Sequence, residues 1–397
     1  MWCVVRAEVL TTLAMDDSRT PVGAATSELV PRDVLAAACG GDRVEMGPAG
    51  EWLVRCAAEA ELGAVLRACA ERGADPAISS RRTVAPADGG VMCVGELDQV
   101  TGYDVDSGVV TAGPGCTAGA LREALADNEQ WLPPIVDCTA EQALGAIACG
   151  RHVGTLASSF GPLSAYVLAV RMVLRNGDII ALGCQARKDV TGYDIMRYAL
   201  STAGGSGVVT SATFRVIARP PAWASLALPC ESLDAALAAA RHIDDDIHPA
   251  GVACAGASPD SGQPPVTVVR LAGTAEAVRL QREAVARVVS TAHSDSDAVA
   301  RSVWHLFDDR GCRRAGGVRA VVPVAALAQV CRQVADAARL IACPVDGRIV
   351  AFPASPRGRE ALNEAVASAG GTSDDSGVNS IPAALRQRLG NVFRCSA

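Results

Sequence analysis

Three glycine-bearing segments in the first part of the chain hold the groups best suited to grip a ligand. The first, "PPIVDCTAEQALGAIACG" (133–150), sets Gly145 among the small residues Ala146, Ala148 and Cys149. Small side chains let a ligand approach the backbone, with amides free to donate; the same composition also suits a tightly packed helix start. The second, "RKDVTGYDIMRY" (187–198), carries Lys188, the only lysine in the chain. In it Gly192 allows an unusual backbone angle, Tyr193 offers an aromatic face with a hydroxyl, and Asp194 suits a helix N-cap. By itself that is a turn and a cap. The third, "STAGGSGVVT" (201–210), is a glycine turn through Gly204 and Gly207 into the apolar Val208 and Val209. Such turns serve structure at least as often as ligands.

Other chemistries find less support. The chain has 15 cysteines, but its closest pair, Cys138 and Cys149, stands eleven apart, so nothing resembles the C-x-x-C runs of zinc or iron–sulfur sites. Reduced thiols acting as small hydrophobes are expected. His242, His248, His293 and His305 lack metal-ligand spacing, and no metal site is expected. A net charge of −7 provides no basic field for a phosphate backbone, so nucleic acid is not an expected partner. The N-terminal "MWCVVRAEVLTTLAMDD" is interrupted by Arg6 and Glu8 and is not read as a signal peptide. The longest apolar runs fall short of the ~20 residues of a membrane helix, which leaves a cytoplasmic protein with at most peripheral membrane contact, made through partners at the inner face of the cell membrane.

The elements that must position these segments alternate. Hydrophobic residues make up 50% and charged residues 20% of the 397, enough to bury a core in each of two or three domains. "EWLVRCA" reads as a strand, and "AEAELGAVLRACAERG" as a helix whose Leu62, Val65, Leu66 and Cys69 recur at helical spacing before Gly73. "ADPAIS", "GGVMCVG" and "SGVVTAGPG" read as short strands and "TAGALREALADN" as a helix. "SAYVLAVRMVL" and "DIIALG" flank Asn176-Gly177, a two-residue hairpin signal. A helix is expected from about Asp194 to Ser201, then a long strand "VVTSATFRVIARPP" that Pro220 and Pro221 close. Beyond it, "SLDAALAAARHI" and "GTAEAVRLQREAVARVVSTA" read as helices alternating with the strands "PPVTVVRLAG" and "GVRAVVPV". The tail from Arg348 holds a polar loop, "GGTSDDSG", and a final helix, "AALRQRLG".

The order and spacing of these segments are more specific than any one of them. "ALGAIACG" resembles the pattern T-(I/W)-G-G-x-x-A-C-G, "KDVTGYD" a hairpin ending in K-N-x-x-G-Y-D, and "TAGGSGVVT" S-x-G-x-x-G-V-(I/L)-T. Together they are similar to the flavin-binding oxidoreductases of the vanillyl-alcohol oxidase and p-cresol methylhydroxylase (PCMH) type, and within that group to the smaller FAD-binding subunit of bacterial glycolate oxidase. The resemblance runs from about Trp52 to Pro221 and continues weakly to Leu389. It implies an α+β fold: a PCMH-type FAD-binding domain of two subdomains over 31–221, after an irregular N-terminus (1–30). An α/β cap domain (222–347) and a C-terminal tail with a return helix (348–397) follow. It implies FAD as cofactor, with Gly145, Ala146, Ala148, Cys149 and Gly154 lining the pyrophosphate and ring side and Gly204, Gly207, Val208 and Val209 the adenine or ribitol side. Lys188 and Tyr193 lie in the segment that closes one flank.

This chain departs from the pattern in several places, above all in the loop that would wrap the pyrophosphate. Where such proteins carry a Gly-Ser-rich loop around the pyrophosphate, it reads "ADPAISSRRTVAPADGG", with no glycine from Ala74 to Asp88. Ser79, Ser80 and Thr83 can donate hydrogen bonds there and Arg81 and Arg82 can neutralise the pyrophosphate; arginines in place of glycine can equally block its approach. The second glycine of the G-G pair is Ala146. Three readings stay open. One is an FAD-binding subunit of a glycolate-type 2-hydroxy-acid oxidoreductase complex, accessory to a larger catalytic flavoprotein subunit and to an iron–sulfur subunit. The others are a flavin-free scaffold subunit and a stand-alone flavin-dependent dehydrogenase or oxidase.

Overall fold

Helix α1 (Arg32–Cys39) and strands β1 (Val44–Met46) and β2 (Trp52–Arg55) open the computed structural model. It describes residues 30–46, 52–74, 76–79, 91–149, 154–184, 195–201, 207–256, 264–288, 297–307 and 316–374. Helix α2 (Glu59–Ala70) buries Leu62, Val65, Leu66 and Cys69, the stripe its sequence spacing dictates. Glu61 reaches back to accept from the amides of Ala57 and Ala58 at 2.9 and 3.2 Å, which satisfies donors that the helix start leaves over. Strands β3 (Ala77–Ser79) and β4 (Val91–Cys93) complete a first sheet in the order β1-β2-β4-β3, in which β4 runs parallel to both β2 and β3.

A second sheet, entirely antiparallel, has the order β5-β6-β10-β8-β9: β5 (Val100–Asp104), β6 (Val109–Ala112), β8 (Val167–Leu174), β9 (Ile179–Gly183) and β10 (Gly207–Arg215). The helices α3 (Ala118–Ala126), α4 (Leu144–Cys149), α5 (Ala157–Phe160) and α6 (Ile195–Ser201) and a short β7 (Gln130–Trp131) lie between its strands in sequence. Strand β8 is apolar but for the exposed Arg171, and β8 and β10 bury side chains towards two cores. The cross-strand pair Val173 and Val208 enters the core of the first sheet, whereas Met172, Leu174, Val209, Ala212 and Phe214 enter that of the second.

The turn between β8 and β9 differs from the expected two-residue hairpin. The amide of Gly177 donates to the Leu174 carbonyl at 2.9 Å and that of Leu174 to the Asp178 carbonyl at 2.8 Å, so three residues span the loop. Only Gly177 takes the left-handed conformation, at φ +85°. Asn176 instead turns its side chain onto the amide of Asp178 at 3.1 Å, and a Cβ on Gly177 would lie 2.4 Å from the Gly63 carbonyl of α2.

Strand β11 (Ile217–Ala218) pairs with β7, and a third sheet then begins at β12 (Ala222–Pro229), directly after the two prolines. It collects β13 (Gly251–Ala255), β14 (Val266–Gly273), β15 (Val318–Val321), β16 (Ala338–Cys343), β17 (Arg348–Pro353) and β18 (Thr372–Asp374) in the order β12-β14-β13-β16-β17-β15-β18. On one face lie α7 (Leu233–Ile247), α8 (Ala275–Val288), α10 (Leu327–Val334) and α11 (Pro356–Ser368); α9 (Asp297–Phe307) covers the other through Trp304 and Phe307. The expected division after Gly347 falls between the paired strands β16 and β17. Residues 348–374 therefore complete the sheet rather than form a tail, and their apolar Ile349, Val350 and Ala351 are buried in it. The expected helix "AALRQRLG" and, apart from Val30, the expected irregular N-terminus lie outside the described residues. Buried Cys39, Cys56, Cys69, Cys116, Cys138, Cys254, Cys331 and Cys343 fill the cores as small apolar groups.

Candidate functional site

Three loops meet where the first sheet hands over to the second. The stretch after β4, the Gly113–Thr117 loop after β6 and the Thr139–Ala143 loop before α4 are sewn together through their backbones. Gly113 donates to the Gln99 carbonyl at 3.0 Å, Gly115 to Leu97 at 2.9 Å, Leu144 to Cys116 at 2.8 Å and Gly145 to Pro114 at 2.9 Å. A Cβ on Gly113 would stand 2.0 Å from the Leu97 carbonyl oxygen and one on Gly115 2.3 Å from that of Gly95, so only glycine permits the approach. Burial raises the Cys116 thiol to about 11, with the Asp98 charge adding to it.

The sequence-predicted residues separate into three groups on this frame. Gly145, Ala146, Ala148 and Cys149 form α4 and abut the seam: Ala146 is exposed, the other three half-buried, and desolvation pushes the Cys149 thiol up to about 11. The N–H of Gly145 is consumed by Pro114, so this glycine offers close approach but not the free amide expected of it. Gly207, Val208 and Val209 begin β10. Both valine side chains are buried in protein cores, and Gly207 packs so that a Cβ would meet the Val173 carbonyl oxygen at 2.4 Å. Gly154 is buried against Pro134, and its carbonyl accepts from Arg348 Nη1 at 3.0 Å. Ser79 ends β3. Ser80, Arg81, Arg82, Lys188, Tyr193 and Gly204 lie outside the described residues. His242, His248 and His305 are exposed, and among the described residues no group of three or more His, Cys, Asp or Glu could hold a metal ion.

The small residues of the seam suit FAD, since at Gly145, Ala146 and Ala148 nothing larger than a methyl group projects. A second feature suits it as well. Gln142, only 5% exposed, carries a buried Oε1 that no donor among the described residues reaches. An acceptor left in that state calls for an N–H or O–H partner, and the isoalloxazine imide and the ribityl hydroxyls of FAD are such donors.

A junction that sequence reasoning missed lies beside this seam, between the second and third sheets. Asp137 accepts from Arg270 Nη1 at 2.7 Å and from the hydroxyl of buried Thr155. The Arg270 guanidinium stands 4.9 Å from the centre of the Trp304 ring, and that of Arg348 4.7 Å from Phe307 while Arg348 Nε pairs with Asp346 at 2.7 Å. Alongside opens a cleft of about 240 Å³ lined by Arg122, Trp131, Asp137, Arg219, Trp223 and Arg270, among others, and by none of the sequence-predicted residues. One signal for it was present in the sequence: Arg270 interrupts the apolar run "VTVVRLAG", and a charge in mid-strand needs a partner.

Among the described residues no helix is long and apolar enough to cross a membrane. Residues 51–183 match the family model described as FAD binding domain. The chain is 28% identical over 152 residues to glycolate oxidase subunit GlcD of Bacillus subtilis, covering 38% of this chain and 32% of that protein. It is 31% identical over 129 residues to glycolate oxidase subunit GlcE of Escherichia coli, covering 32% and 37% respectively. These matches thus span about a third of the relatives' own lengths. A crystal structure of p-cresol methylhydroxylase with substrate bound superposes with a TM-score of 0.66 at 15% identity, covering 91% of this chain and 93% of that one, which shows a shared fold. Over residues 51–183, then, this chain is similar to FAD binding domains.

Proposed function

We propose that the protein is an FAD-dependent oxidoreductase subunit of the glycolate-oxidase type, acting on 2-hydroxy acids beside a larger flavoprotein subunit and an iron–sulfur subunit. The observation that carries this reading is the FAD binding domain match over residues 51–183, which is supported by relatives that are themselves named as glycolate oxidase subunits. In the same reading the first two sheets, to about Pro221, form the two subdomains of the FAD side, and the third sheet, from Ala222, forms the cap.

FAD, when bound, supplies a two-electron acceptor. The residues of this chain hold and enclose it. Gly145, Ala146 and Ala148 admit its close approach, Gln142 Oε1 accepts one of its N–H or O–H groups, and Cys149, a neutral thiol at physiological pH, adds no charge beside it. Ser79, Ser80, Arg81 and Arg82 take the pyrophosphate in place of a glycine loop, and Gly154, Lys188, Tyr193, Gly204, Gly207, Val208 and Val209 frame the remainder through their backbone. The exposed positions of His242, His248 and His305 favour an accessory role over substrate deprotonation by this chain.

Co-expression with genes for a larger flavoprotein subunit and an iron–sulfur subunit of the glycolate-oxidase type, followed by anaerobic addition of glycolate or D-lactate, tests the proposal. Co-purification of the three chains, with bleaching of the flavin bands only in the complex, is the expected result. Bleaching in the isolated chain would instead make it a stand-alone dehydrogenase. No bleaching in either would remove the 2-hydroxy-acid assignment.

A further inference from the structure

The cleft between the second and third sheets has the composition of a binding site. Its wall is apolar on one side: Ala126, Leu132 and Val136 join Trp131 and Trp223, whose rings meet edge to face at 5.1 Å. Both indole N–H groups are already committed, Trp131 to the Ala218 carbonyl at 3.1 Å and Trp223 to the Pro220 carbonyl at 3.2 Å, so the rings present only carbon to the cleft. The other side is cationic. Three lining arginines, Arg122, Arg219 and Arg270, face one lining carboxylate, Asp137, and that carboxylate is taken by Arg270.

Arg122 is half-buried and held rigidly, its Nη1 donating to the carbonyls of Ile135 and Cys138 at 3.0 and 2.8 Å. Those bonds satisfy N–H groups without neutralising the charge, and among the described residues neither Arg122 nor Arg219 has an ion pair. A fixed guanidinium with no counter-charge, at the edge of an aromatic-walled cleft, is an electrostatic arrangement that an anion completes. The volume of about 240 Å³ would hold on the order of eight waters, which limits the occupant to a small molecule.

We propose that this cleft binds a small carboxylate with a short apolar body. The carboxylate lies between Arg122 and Arg219, and the hydrocarbon packs on Trp131 and Trp223. The occupant touches both parts of the molecule, because Arg122 and Trp131 precede the double proline whereas Trp223 and Arg270 belong to the third sheet, so its binding fastens the two together. The inference does not rest on the flavin reading, since no seam residue lines the cleft.

The test is calorimetric titration of the full chain with 3-methylbutanoate, with the neutral 3-methylbutan-1-ol as control, and with thermal unfolding recorded at each ligand concentration. Saturable binding of one carboxylate per chain with a raised Tm is expected, together with a loss of about tenfold or more in affinity for Arg219→Gln and for Arg122→Gln. Arg219 is exposed, so Arg219→Gln keeps its fold and decides the matter if Arg122→Gln does not. No saturable binding up to about 10 mM, a Kd near 3 kcal/mol of binding energy where the cleft would serve no purpose, overturns the proposal. So does equal affinity for the alcohol, or unchanged affinity in Arg219→Gln. Flavin absorbance recorded on the same samples keeps the two readings apart.

Discussion

At the seam around Gly113, Gly115 and Gly145 the chain meets itself backbone to backbone, whereas at the junction around Asp137, Arg270 and Arg348 it is joined by charged side chains and rings. The bonds that join the seam's loops run from amide to carbonyl, and at Gly113 and Gly115 the backbones approach so closely that no side chain fits between them. The junction is assembled from residues as far apart in sequence as Asp137 and Arg270, each side chain supplying both charge and shape. A site built from backbone tolerates no added atom; a site built from side chains tolerates change of shape better than loss of a partner.

Substitution at the two regions should separate these modes. Gly113→Ala brings a methyl to within 2.0 Å of the Leu97 carbonyl and should give either no folded protein or a loss of about 4 kcal/mol or more, measured by urea denaturation. Near-native stability would mean that the loops are free to part. Asp137→Asn at the junction leaves Arg270, whose side chain is 11% exposed, without its charge partner, and should cost about 2–3 kcal/mol. Flavin content per folded chain should stay unchanged in that variant, and its loss would merge the two regions into one.

The seam also carries a pH dependence. Cys116 and Cys149 ionise near 11 in the folded chain against an ordinary value of 9. Raised folded values mean that the stabilisation is fully present below pH 9 and is lost as pH rises towards 11. Between pH 9 and 10 the two thiols together should cost about 2 kcal/mol, measured as the difference between the wild type and a Cys116→Ala, Cys149→Ala double variant. The smallest effect belongs to the contact between the first two sheets, where Thr210 Oγ1 donates to Glu59 Oε1 at 2.5 Å while Arg171 pairs with the other oxygen at 2.6 Å. Thr210→Val should cost about 1 kcal/mol in the same assay and leave flavin content untouched.

The contrast also accounts for what could be read in the sequence. "ALGAIACG" is one contiguous stretch whose small residues serve a single purpose, and the stripe of α2 repeats at the helical period; both are local signals. Of the junction only the mid-strand charge of Arg270 was legible, because Asp137, Thr155, Arg270 and Arg348 become neighbours only when β14 and β17 are placed against the segment of Asp137 and Thr155. The hydrogen bond from Gly145 to Pro114 was hidden for the same reason: a glycine shows that the backbone can be approached, not whether protein or ligand does the approaching. Strands β16 and β17 escaped as well, since "ARLIAC" and "RIVAFP" are short apolar runs that a helix or a strand accommodates equally until their pairing is known.

The central claim, an FAD binding domain whose seam admits the cofactor, is tested most directly by the visible absorption spectrum of the purified full chain, with denaturation to identify and count any released cofactor. Flavin bands and about one FAD per chain, before or after incubation with added FAD, is the predicted result. A colourless, folded protein that takes up none would contradict it.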